Sequence, residues 1–494
     1  MTEMLVVGGG PAGVAAALRA ADLGARTTLV TGAEFGGMAA NDGPVPVRTL
    51  AHAGRLLRDA RQLGLYGVAV SEPVLNYSLL LGRVRDIVTE VRTHSSLRQQ
   101  VESQGVTIHE HTGMARFIDP HTIETRAGLR LHAERIIICT GGMNRRLPIP
   151  GFELTSTHSD AWALKSVPPS MLVVGAGATG VQVASIFNAF GSRIQLFEAG
   201  PRILATEDAD ISAAAATALR KSGMAVRESF GAIESFEKTA TGVRMNFTKD
   251  GHRFDAEATL VVVAVGWVAE TNELNIAAAG IELNQRKFVK VDEYLRTSTP
   301  HIFAAGDITG HLMLVPQAIQ GGWVAATNAV KGPTMPLVDQ VSPMGSFSEP
   351  EYAQAGLTEA KARETHDVVT SIVHFDKTTR TIIDGRTFGF CKLITDRKSC
   401  KVIGCHVIGE RAVDIVEVAA IAIAAGMRVD DLAQIPLAYP TYGGILARAA
   451  VMAAGQLGLS VGWQAHQLEN ALPAKLQSED RREVEAFQLE TANK

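Results

Sequence analysis

Residues 4–30 read MLVVGGGPAGVAAALRAADLGARTTLV, which is an apolar run, a GxGxxG turn, an alanine-rich stretch and a second β-branched run. This order predicts a strand, a tight glycine turn, a helix and a second strand. Gly8 permits the tight turn, Gly10 lets the backbone approach a pyrophosphate, and Gly13 lets the helix pack on the strand. Because chance glycine turns are common, one such turn is a weak indication of a dinucleotide-binding unit.

A second copy of the pattern strengthens that interpretation. Residues 171–198 read MLVVGAGATGVQVASIFNAFGSRIQLFE, with Gly175, Gly177 and Gly180 in the same register. Two units, each with the expected strands and helix, make chance a poor explanation. We therefore expect the chain to bind two dinucleotides.

The residue that ends the second strand differs between the two units. Glu198 lies 18 residues after Gly180, where a carboxylate accepts hydrogen bonds from an adenosine ribose and repels a 2′-phosphate. The second site is therefore predicted to prefer NADH to NADPH, with Arg202 close enough to soften that preference. A solvated strand-end glutamate is the alternative. The first unit has Thr31 at the equivalent position, so Glu34 is its candidate for the ribose contact.

Composition excludes several classes of function. A chain of 494 residues implies two to four domains. The net charge of −4, without a run of Lys or Arg, gives no electrostatic case for nucleic acid. The four cysteines show neither CxxC nor metal-ligand spacing, which indicates a reducing compartment. No stretch reaches the roughly 18 apolar residues of a membrane span. We expect a cytoplasmic protein without nucleic acid, membrane insertion or a metal site.

Two further stretches combine an apolar strand with a polar end. Residues 135–142 read RIIICTGG and predict a buried strand that ends in Thr-Gly-Gly. Residues 301–310 read HIFAAGDITG and predict another strand, which ends at Asp307. A carboxylate in that place can accept hydrogen bonds from a chain of sugar-like hydroxyls. A simple Gly-Asp turn is the alternative.

In their order and spacing these motifs resemble those of the flavoproteins with two dinucleotide-binding domains, the group of lipoamide dehydrogenase, glutathione reductase and mercuric reductase. The matching motifs are GGGPAG (8–13), ICTGG (138–142), GAGATG (175–180), VAVGW (263–267) and AAGDITG (304–310). Residues 389–416 and 438–451 resemble the dimerisation domain of that family. The resemblance implies FAD in the first site and NAD(P)H in the second. It also implies a homodimer whose C-terminal domain reaches the partner's active site.

The resemblance implies an α/β fold with two Rossmann-like dinucleotide-binding domains, one for FAD and one for NAD, and a C-terminal α+β dimerisation domain. We expect the FAD domain in two parts, 1–150 and 272–338, around an NAD domain at 151–271. The dimerisation domain is expected at 339–465, followed by a charged tail at 466–494. The predicted cofactor-binding residues are Gly8, Gly10, Pro11, Ala12, Gly13, Gly36, Gly37, Arg48, Ala115, Thr140, Gly141, Gly142, Gly175, Gly177, Thr179, Gly180, Glu198, Gly266, Asp307, Met313, Leu314 and Val315.

The loop at residues 36–48, GGMAANDGPVPVR, departs from the family pattern. By the resemblance, the two redox cysteines of the family correspond to Ala39 and Pro44, and a lysine near the flavin corresponds to Arg48. The proton-relay histidine near the C-terminus corresponds to Tyr439. The resemblance therefore implies that thiol chemistry is lost from this site.

The remaining residues predict a different fate for the electrons. A dithiol reductase needs a thiolate and a base. Cys400 and Cys405 share the family's CxxxxC spacing, but five extended residues span roughly 16 Å, too far for a disulfide. Hydride transfer from NADH to flavin should survive, because the cofactors carry that chemistry. We predict Arg48 and Tyr439 as catalytic residues beside a pocket for a small acceptor such as a quinone, which Tyr439 and Tyr442 of the partner subunit line. The alternative is that the two tyrosines only fill the dimer interface.

Two alternatives stay open at this point. Soluble pyridine nucleotide transhydrogenases resemble the chain at residues 114–123, 183–190 and 409–415, and also have tyrosine in place of the relay histidine. Against that reading, Glu198 opposes a site that must accept both NADH and NADPH. The second alternative is a flavin-binding sensor or partner protein with vestigial catalysis, which leaves the intact second glycine motif unexplained.

Overall fold

The computed structural model describes residues 3–94, 97–271, 273–338 and 341–461, so the predicted tail at 466–494 lies outside the described residues. In chain order the strands are β1 Glu3–Val7, β2 Arg26–Val30, β3 Thr107–His109, β4 Ala115–Asp119, β5 Thr122–Thr125, β6 Arg130–His132, β7 Arg135–Ile138, β8 Gly142–Asn144, β9 Ser170–Val174, β10 Arg193–Glu198, β11 Ala225–Glu228, β12 Ala232–Lys238, β13 Val243–Lys249, β14 His252–Ala258, β15 Leu260–Val263, β16 Trp267–Ala269, β17 Ile302–Ala304, β18 Met344–Ser346, β19 Tyr352–Gly356, β20 Val368–His374, β21 Gly389–Asp396 and β22 Val402–Gly409.

A helix lies between two strands at each glycine turn, and elsewhere helices and strands occur in runs. They are α1 Pro11–Asp22, α2 Gly37–Asn41, α3 Pro44–Gln62, α4 Tyr77–His94, α5 Leu97–Ser103, α6 His158–Trp162, α7 Ala178–Ala189, α8 Ala209–Lys221, α9 Val315–Lys331, α10 Glu359–Thr365, α11 Thr379–Ile383, α12 Ala412–Ala424, α13 Val429–Gln434 and α14 Gly444–Gln456. Short 3₁₀ helices lie at Leu63–Tyr66, Phe152–Leu154, Ile276–Ala279, Asp307–Thr309 and Phe375–Lys377. Within the described ranges, no helix combines the length and the apolar character that a membrane crossing requires.

The chain divides into two compact units. The first takes in the described residues up to Leu204 and those from Leu219 to 338. The second takes in Ala205–Ala218 and the described residues from 341 onward. Both dinucleotide-type sheets belong to the first unit, so the borders expected between an FAD and an NAD domain stay predictions.

A parallel five-stranded sheet with the order β17-β7-β1-β2-β3 carries the first glycine turn. Its central strand is covered on both faces, which explains why residues 4–7 are an unbroken apolar run that is at most 2% exposed. Strand β17 joins this sheet beside β7 although it lies far away in sequence. Because carboxyl ends of parallel strands share one edge, Asp307 and the turn after β1 come to the same side of the sheet.

A parallel four-stranded sheet with the order β11-β10-β9-β15 carries the second glycine turn. Its register pairs Val174 with Phe197, just as the first sheet pairs Val7 with Val30. Glu198 and Thr31 therefore occupy equivalent places in the two strand–turn–helix–strand motifs, as the count from the glycines predicts. An antiparallel ribbon of β8 and β16 follows at the carboxyl ends of β7 and β15.

The second unit is built on an antiparallel sheet with the order β18-β19-β22-β21-β20. Helices α12 and α14 supply the alanine-rich and aliphatic side chains of its core, which include the buried Ile415 and Leu446. An antiparallel sheet with separate helices is the α+β arrangement expected of this part of the chain. With the two parallel sheets of the first unit, it confirms the predicted fold class.

The two cysteines that lie closest together in the structure are not Cys400 and Cys405, which share the family's spacing. Cys400 lies in the turn between β21 and β22 at a φ of 59°, and all four cysteines are free. The closest sulfur atoms are those of Cys391 and Cys405, 3.9 Å apart on neighbouring strands within the apolar core. The neighbouring Cys391 thiol and burial raise the pKa of Cys405 well above its ordinary value, so Cys405 is not a thiolate at neutral pH.

A buried lysine joins the segment Ala205–Ala218 to the rest of the second unit. Lys392 on β21 is 2% exposed and donates to Asp208 at 2.8 Å, Asp210 at 2.6 Å and Glu359 at 2.6 Å. Burial opposes the charge on each partner, but the hydrogen bonds prevail, so the pKa of Lys392 is raised and those of Asp208 and Glu359 are lowered. Removing the lysine would lower the stability of the fold, because it would leave buried carboxylates without an opposite charge.

We predict that Lys392→Met lowers the midpoint of thermal unfolding at pH 7, because it leaves Asp208 as an uncompensated buried carboxylate, at a cost of about 3–5 kcal/mol. The lowered pKa of Asp208 makes wild-type stability fall as the pH drops below about 4. In the variant the unpaired Asp208 has a raised pKa, so stability should rise between pH 7 and 5. Adding Asp208→Asn should remove that rise, and a variant with the wild-type pH dependence would contradict the assignment.

Candidate functional site

The first and third glycines of both turns are required by close packing. A Cβ atom on Gly8 would lie 2.2 Å from a backbone carbonyl oxygen, and one on Gly13 would lie 1.8 Å from the carbonyl oxygen of Gly8. At Gly175 and Gly180 the corresponding distances are 2.5 Å and 1.8 Å. Real Cβ atoms do not approach so closely, so these positions accept only glycine. The close contacts of Gly13 and Gly180 agree with the expected packing of helix on strand, and the φ values of 115° at Gly8 and 93° at Gly175 agree with the expected tight turn.

The middle glycines instead face open space. A Cβ atom on Gly10 would meet no atom closer than the Cα of Gly37 at 4.0 Å, and one on Gly177 would meet nothing within 4 Å. Each glycine precedes a helix of 12 residues, α1 or α7, with no side-chain cap and no acidic residue in the first turn. Amide groups and the helix dipole are therefore directed at an open cradle, which fits a dinucleotide pyrophosphate.

Buried polar groups lie beside the first cradle. The hydroxyl oxygen of Thr140 is buried and has no hydrogen-bond partner within the described part of the chain. Asp307 follows β17, and burial raises the pKa of its carboxyl group above the ordinary value. A Cβ atom on Gly142 would lie 3.6 Å from the Cβ of Asp307, so these residues form one patch. The unpartnered hydroxyl of Thr140 and the carboxyl group of Asp307 fit the hydroxyls of a bound FAD.

The loop at 36–48 is anchored on the first turn. The backbone N–H of Gly36 donates to the carbonyl of Gly9 at 2.8 Å, and a Cβ atom on Gly37 would lie 2.7 Å from the Cα of Gly10. Helix α2 follows at once, and α3 begins three residues after it ends. The loop is therefore fixed at the rim of the cradle where FAD is predicted. The contacts predicted for Pro11, Ala12, Ala115, Gly141, Met313, Leu314 and Val315 stay predictions.

Arg48 is the last residue of this loop segment and lies in the first part of α3. Burial of its guanidinium lowers the pKa to about 10, although the residue as a whole is exposed. A group with that pKa is still positively charged at neutral pH. Arg48 is therefore a cation rather than an acid or a base at neutral pH, and its place beside the flavin stays a prediction.

Glu198 is held by the backbone of the second turn. Its carboxylate accepts from the N–H of Ala176 at 2.9 Å and from the N–H of Gly200 at 2.8 Å. The side chain is half-buried and directed along the rim of the turn rather than into bulk solvent. This orientation fits a ribose-binding carboxylate, and its contact with NADH stays a prediction, as do those of Thr179 and Gly266.

No thiol lies in the loop, and the cysteine closest to the first turn is unsuited to redox work. Cys139 follows β7, and its backbone contacts Gly8. Burial raises the pKa of the Cys139 thiol to about 12, so it is not a thiolate at neutral pH. The other three cysteines belong to the second unit of the chain.

The two tyrosines expected from the partner subunit differ in their surroundings. Tyr439 is 82% exposed, and its hydroxyl lies 2.9 Å from that of Thr379. Tyr442 instead donates to Asp384 at 2.8 Å and packs against Arg380 within its own unit. Those contacts give Tyr442 a structural role within its own unit. Arg48 and Tyr439 lie in different units of the chain, so their pairing across a dimer stays a prediction.

Sequence reasoning missed a polar cluster beside the loop. Asp42, between α2 and α3, accepts a hydrogen bond from Ser159 on α6 at 2.5 Å. Next to Ser159, the buried His158 lies 3.1 Å from Asn144 and edge-on to the ring of Trp267, with centroids 5.1 Å apart. These residues are separated by up to 225 positions (267 − 42). No local pattern marks them, so only the fold brings them together.

Comparison with known proteins agrees with this geometry. Residues 2–322 match the family model of pyridine nucleotide-disulphide oxidoreductases. Residues 342–450 match the dimerisation domain of the same family, which supports a homodimer.

Individual relatives extend over most of the chain. Mercuric reductase of Lysinibacillus sphaericus is 30% identical over 454 residues, 91% of this chain and 82% of that protein. Dihydrolipoyl dehydrogenase of Bacillus subtilis (strain 168) is 30% identical over 461 residues, 92% of this chain and 97% of that protein. In fold, the chain is similar to the HOCl-induced flavoprotein disulfide reductase RclA from Escherichia coli, with a TM-score of 0.80, 24% identity, and coverage of 91% and 99%.

The two kinds of glycine predict opposite phenotypes at the second turn. Gly177→Ala should fold normally and retain flavin, because its Cβ meets nothing, but should weaken NADH binding by about tenfold or more, since that Cβ occupies the cradle. Gly180→Ala should instead lower the unfolding midpoint, because its Cβ would lie 1.8 Å from a carbonyl oxygen. NADH titration and thermal unfolding distinguish them. Unchanged NADH affinity in Gly177→Ala would show that the cradle is not the site.

Proposed function

The chain belongs to the pyridine nucleotide-disulphide oxidoreductase family, and from this premise we propose that it transfers hydride from NADH through bound FAD to a small non-thiol acceptor such as a quinone. Membership makes the protein an FAD-dependent pyridine nucleotide oxidoreductase. The acceptor and the preference for NADH are the steps beyond the family.

The composition of the loop at 36–48 carries the proposal. It holds no cysteine, and Ala39 and Pro44 stand at the places that the resemblance gives to the redox sulfurs. Cys139 cannot replace them, because burial raises the pKa of its thiol to about 12 and keeps the thiol protonated at neutral pH. A reductase of disulfides needs a thiolate to receive the electrons. Electrons that reach the flavin therefore have no reactive thiolate or disulfide to go to among the described residues of this unit, and under this proposal they leave directly to an acceptor.

The chemistry of the loop favours an acceptor with carbonyl oxygens. Two small apolar residues, Ala39 and the exposed Pro44, leave room for a flat molecule where two sulfurs would otherwise lie. Arg48 follows with its charge retained at neutral pH, since its pKa of about 10 is still well above 7. A guanidinium stabilises the negative charge that develops on a carbonyl oxygen during reduction. A quinone combines the flat shape with such oxygens.

The second turn favours NADH over NADPH. Glu198 is held by two backbone N–H groups, of Ala176 and Gly200, at the rim of the cradle. A carboxylate fixed there offers an acceptor to ribose hydroxyls and repels a 2′-phosphate. The same argument opposes a transhydrogenase, whose site must accept both nucleotides.

The second unit offers a surface for the homodimer. Apolar side chains of α11 and α12 are exposed, among them Ile382, Ile383 and Ile421, the last at 69%. Burial of these isoleucines against a second copy would contribute apolar area to a homodimer interface. Tyr439 projects from the same unit, and we place it in the partner's acceptor pocket as the hydrogen-bond donor.

The acceptor assay tests this proposal. Purified protein with NADH should reduce menadione and should not reduce lipoamide or glutathione disulfide. Arg48→Met and Tyr439→Phe should each lower kcat/KM for menadione by about tenfold, which is about 1.4 kcal/mol of transition-state stabilisation. Neither should change the rate at which NADH bleaches the flavin.

Matched controls keep the result specific. Arg253→Met removes a guanidinium whose side chain is 84% exposed on β14, and Tyr294→Phe removes a hydroxyl outside the loop. Both should behave as wild type. Reduction of a disulfide, or wild-type menadione turnover in both site variants, would overturn the proposed exit. Equal use of NADPH and transfer to thio-NAD⁺ would favour a transhydrogenase, and no bleaching by NADH would favour a sensor.

A further inference from the structure

A chain of hydrogen bonds joins the loop at 36–48 to a buried histidine. Ser159 Oγ donates to Asp42 Oδ2 at 2.5 Å, and His158 Nε2 lies 3.4 Å from the same Oγ. On its other side, His158 Nδ1 lies 3.1 Å from Asn144 Oδ1. Asp42, Ser159 and His158, the three-residue chain, thus connect two segments that are 117 residues apart in sequence.

The arrangement can hold an extra proton. A serine hydroxyl has one proton, so when Ser159 donates to Asp42 its oxygen can only accept from His158. Asn144 Oδ1 is also an acceptor, so an imidazolium at His158 has a partner for each of its two N–H groups. When His158 is neutral, the hydroxyl can turn and donate to Nε2 instead. Rotation of Ser159 therefore couples the charge of His158 to that of Asp42.

Burial and two nearby carboxylates act on the pKa of His158 in opposite directions. Burial lowers its pKa, whereas the negative charges of Asp42 and Asp160 oppose that shift, and the net pKa is below the ordinary value. The side chains of Asn144, Trp162 and Trp267, which contact the His158 ring, carry no charge. Asp42 and Asp160 are therefore the charges that control His158.

The three-residue chain also lies near the predicted flavin contacts. The ring of His158 is edge-on to Trp267, with centroids 5.1 Å apart. A Cβ atom on Gly142 would lie 3.9 Å from that indole and 3.6 Å from the Cβ of Asp307. At its other end is Asp42, which lies in sequence between Ala39 and Pro44, the two positions that the resemblance gives to the redox sulfurs.

We propose that His158, Ser159 and Asp42 form the proton relay of this site and take over the role that the resemblance assigns to a C-terminal histidine. The inference rests on the proposed function. Reduction of a quinone to a hydroquinone consumes two electrons and two protons, whereas hydride from NADH brings both electrons and one proton. The relay supplies the second proton to the quinone oxygen and regains it from solvent, so atoms and charge balance. Ser159 acts as a positioning residue, because it acts through its neighbours.

Stopped-flow reoxidation tests the relay. NADH-reduced holoprotein is mixed with 1,4-benzoquinone between pH 5 and 9. The wild-type rate should fall as the pH rises through the pKa of His158, because only the protonated form donates. Asp42→Asn, Ser159→Ala and His158→Gln should each slow reoxidation at pH 5 by about 100-fold, the contribution typical of a general acid, and flatten the profile. Ser159→Thr keeps the hydroxyl and should restore the pH dependence.

A spectroscopic measurement separates a relay from a purely structural role. In ¹³C-histidine-labelled holoprotein, the resonance that is lost in His158→Gln identifies His158. The pKa of His158 should fall further in Asp42→Asn, because this variant removes a negative charge that raises the pKa. Wild-type pH profiles in Asp42→Asn and Ser159→Ala, or an unchanged His158 pKa, would overturn the relay alone. Absence of reoxidation of the wild-type protein by benzoquinone would overturn the proposed function instead.

Discussion

The contact between a glycine and a backbone carbonyl, made once in each turn, is the constraint on which the rest of the structure depends. Gly13 lies against the carbonyl of Gly8, and Gly180 lies against that of Gly175, so closely that no side chain fits. Each contact brings a helix N-terminus to the carboxyl end of a central strand. The parallel sheets, their buried apolar strands and the two open cradles all follow from that placement.

Within this frame, the chemistry depends on which atoms lie at the rim of the first cradle. The loop at 36–48 is fixed to the turn through Gly36 and Gly37, so its residues are held in place whatever they are. By the resemblance, Ala39 and Pro44 stand in the places of the redox sulfurs, and under our proposal this exchange keeps the support and removes only the thiol electron acceptor. Our account assigns the remaining tasks to a cation, Arg48, and to a hydrogen-bonded chain that ends at His158.

The fold was accessible from sequence, because its determinants are local. The glycine spacing, the apolar runs and the count of 18 residues to Glu198 all report on contiguous segments, and the observed register agrees with them. The site was accessible only in part. The cluster of Asp42 and His158 depends on long-range packing that no periodicity encodes, and the structure uses Tyr442 inside its own unit, where it donates to Asp384.

Anaerobic titration of the purified yellow protein with NADH tests the central claim, that electrons meet no protein thiol after the flavin. The oxidised-flavin absorbance should disappear completely at one equivalent of NADH per FAD, because the site can store only two electrons. A second equivalent would be required if a disulfide shared the electrons with the flavin. A titration that ends at two equivalents would therefore contradict the account.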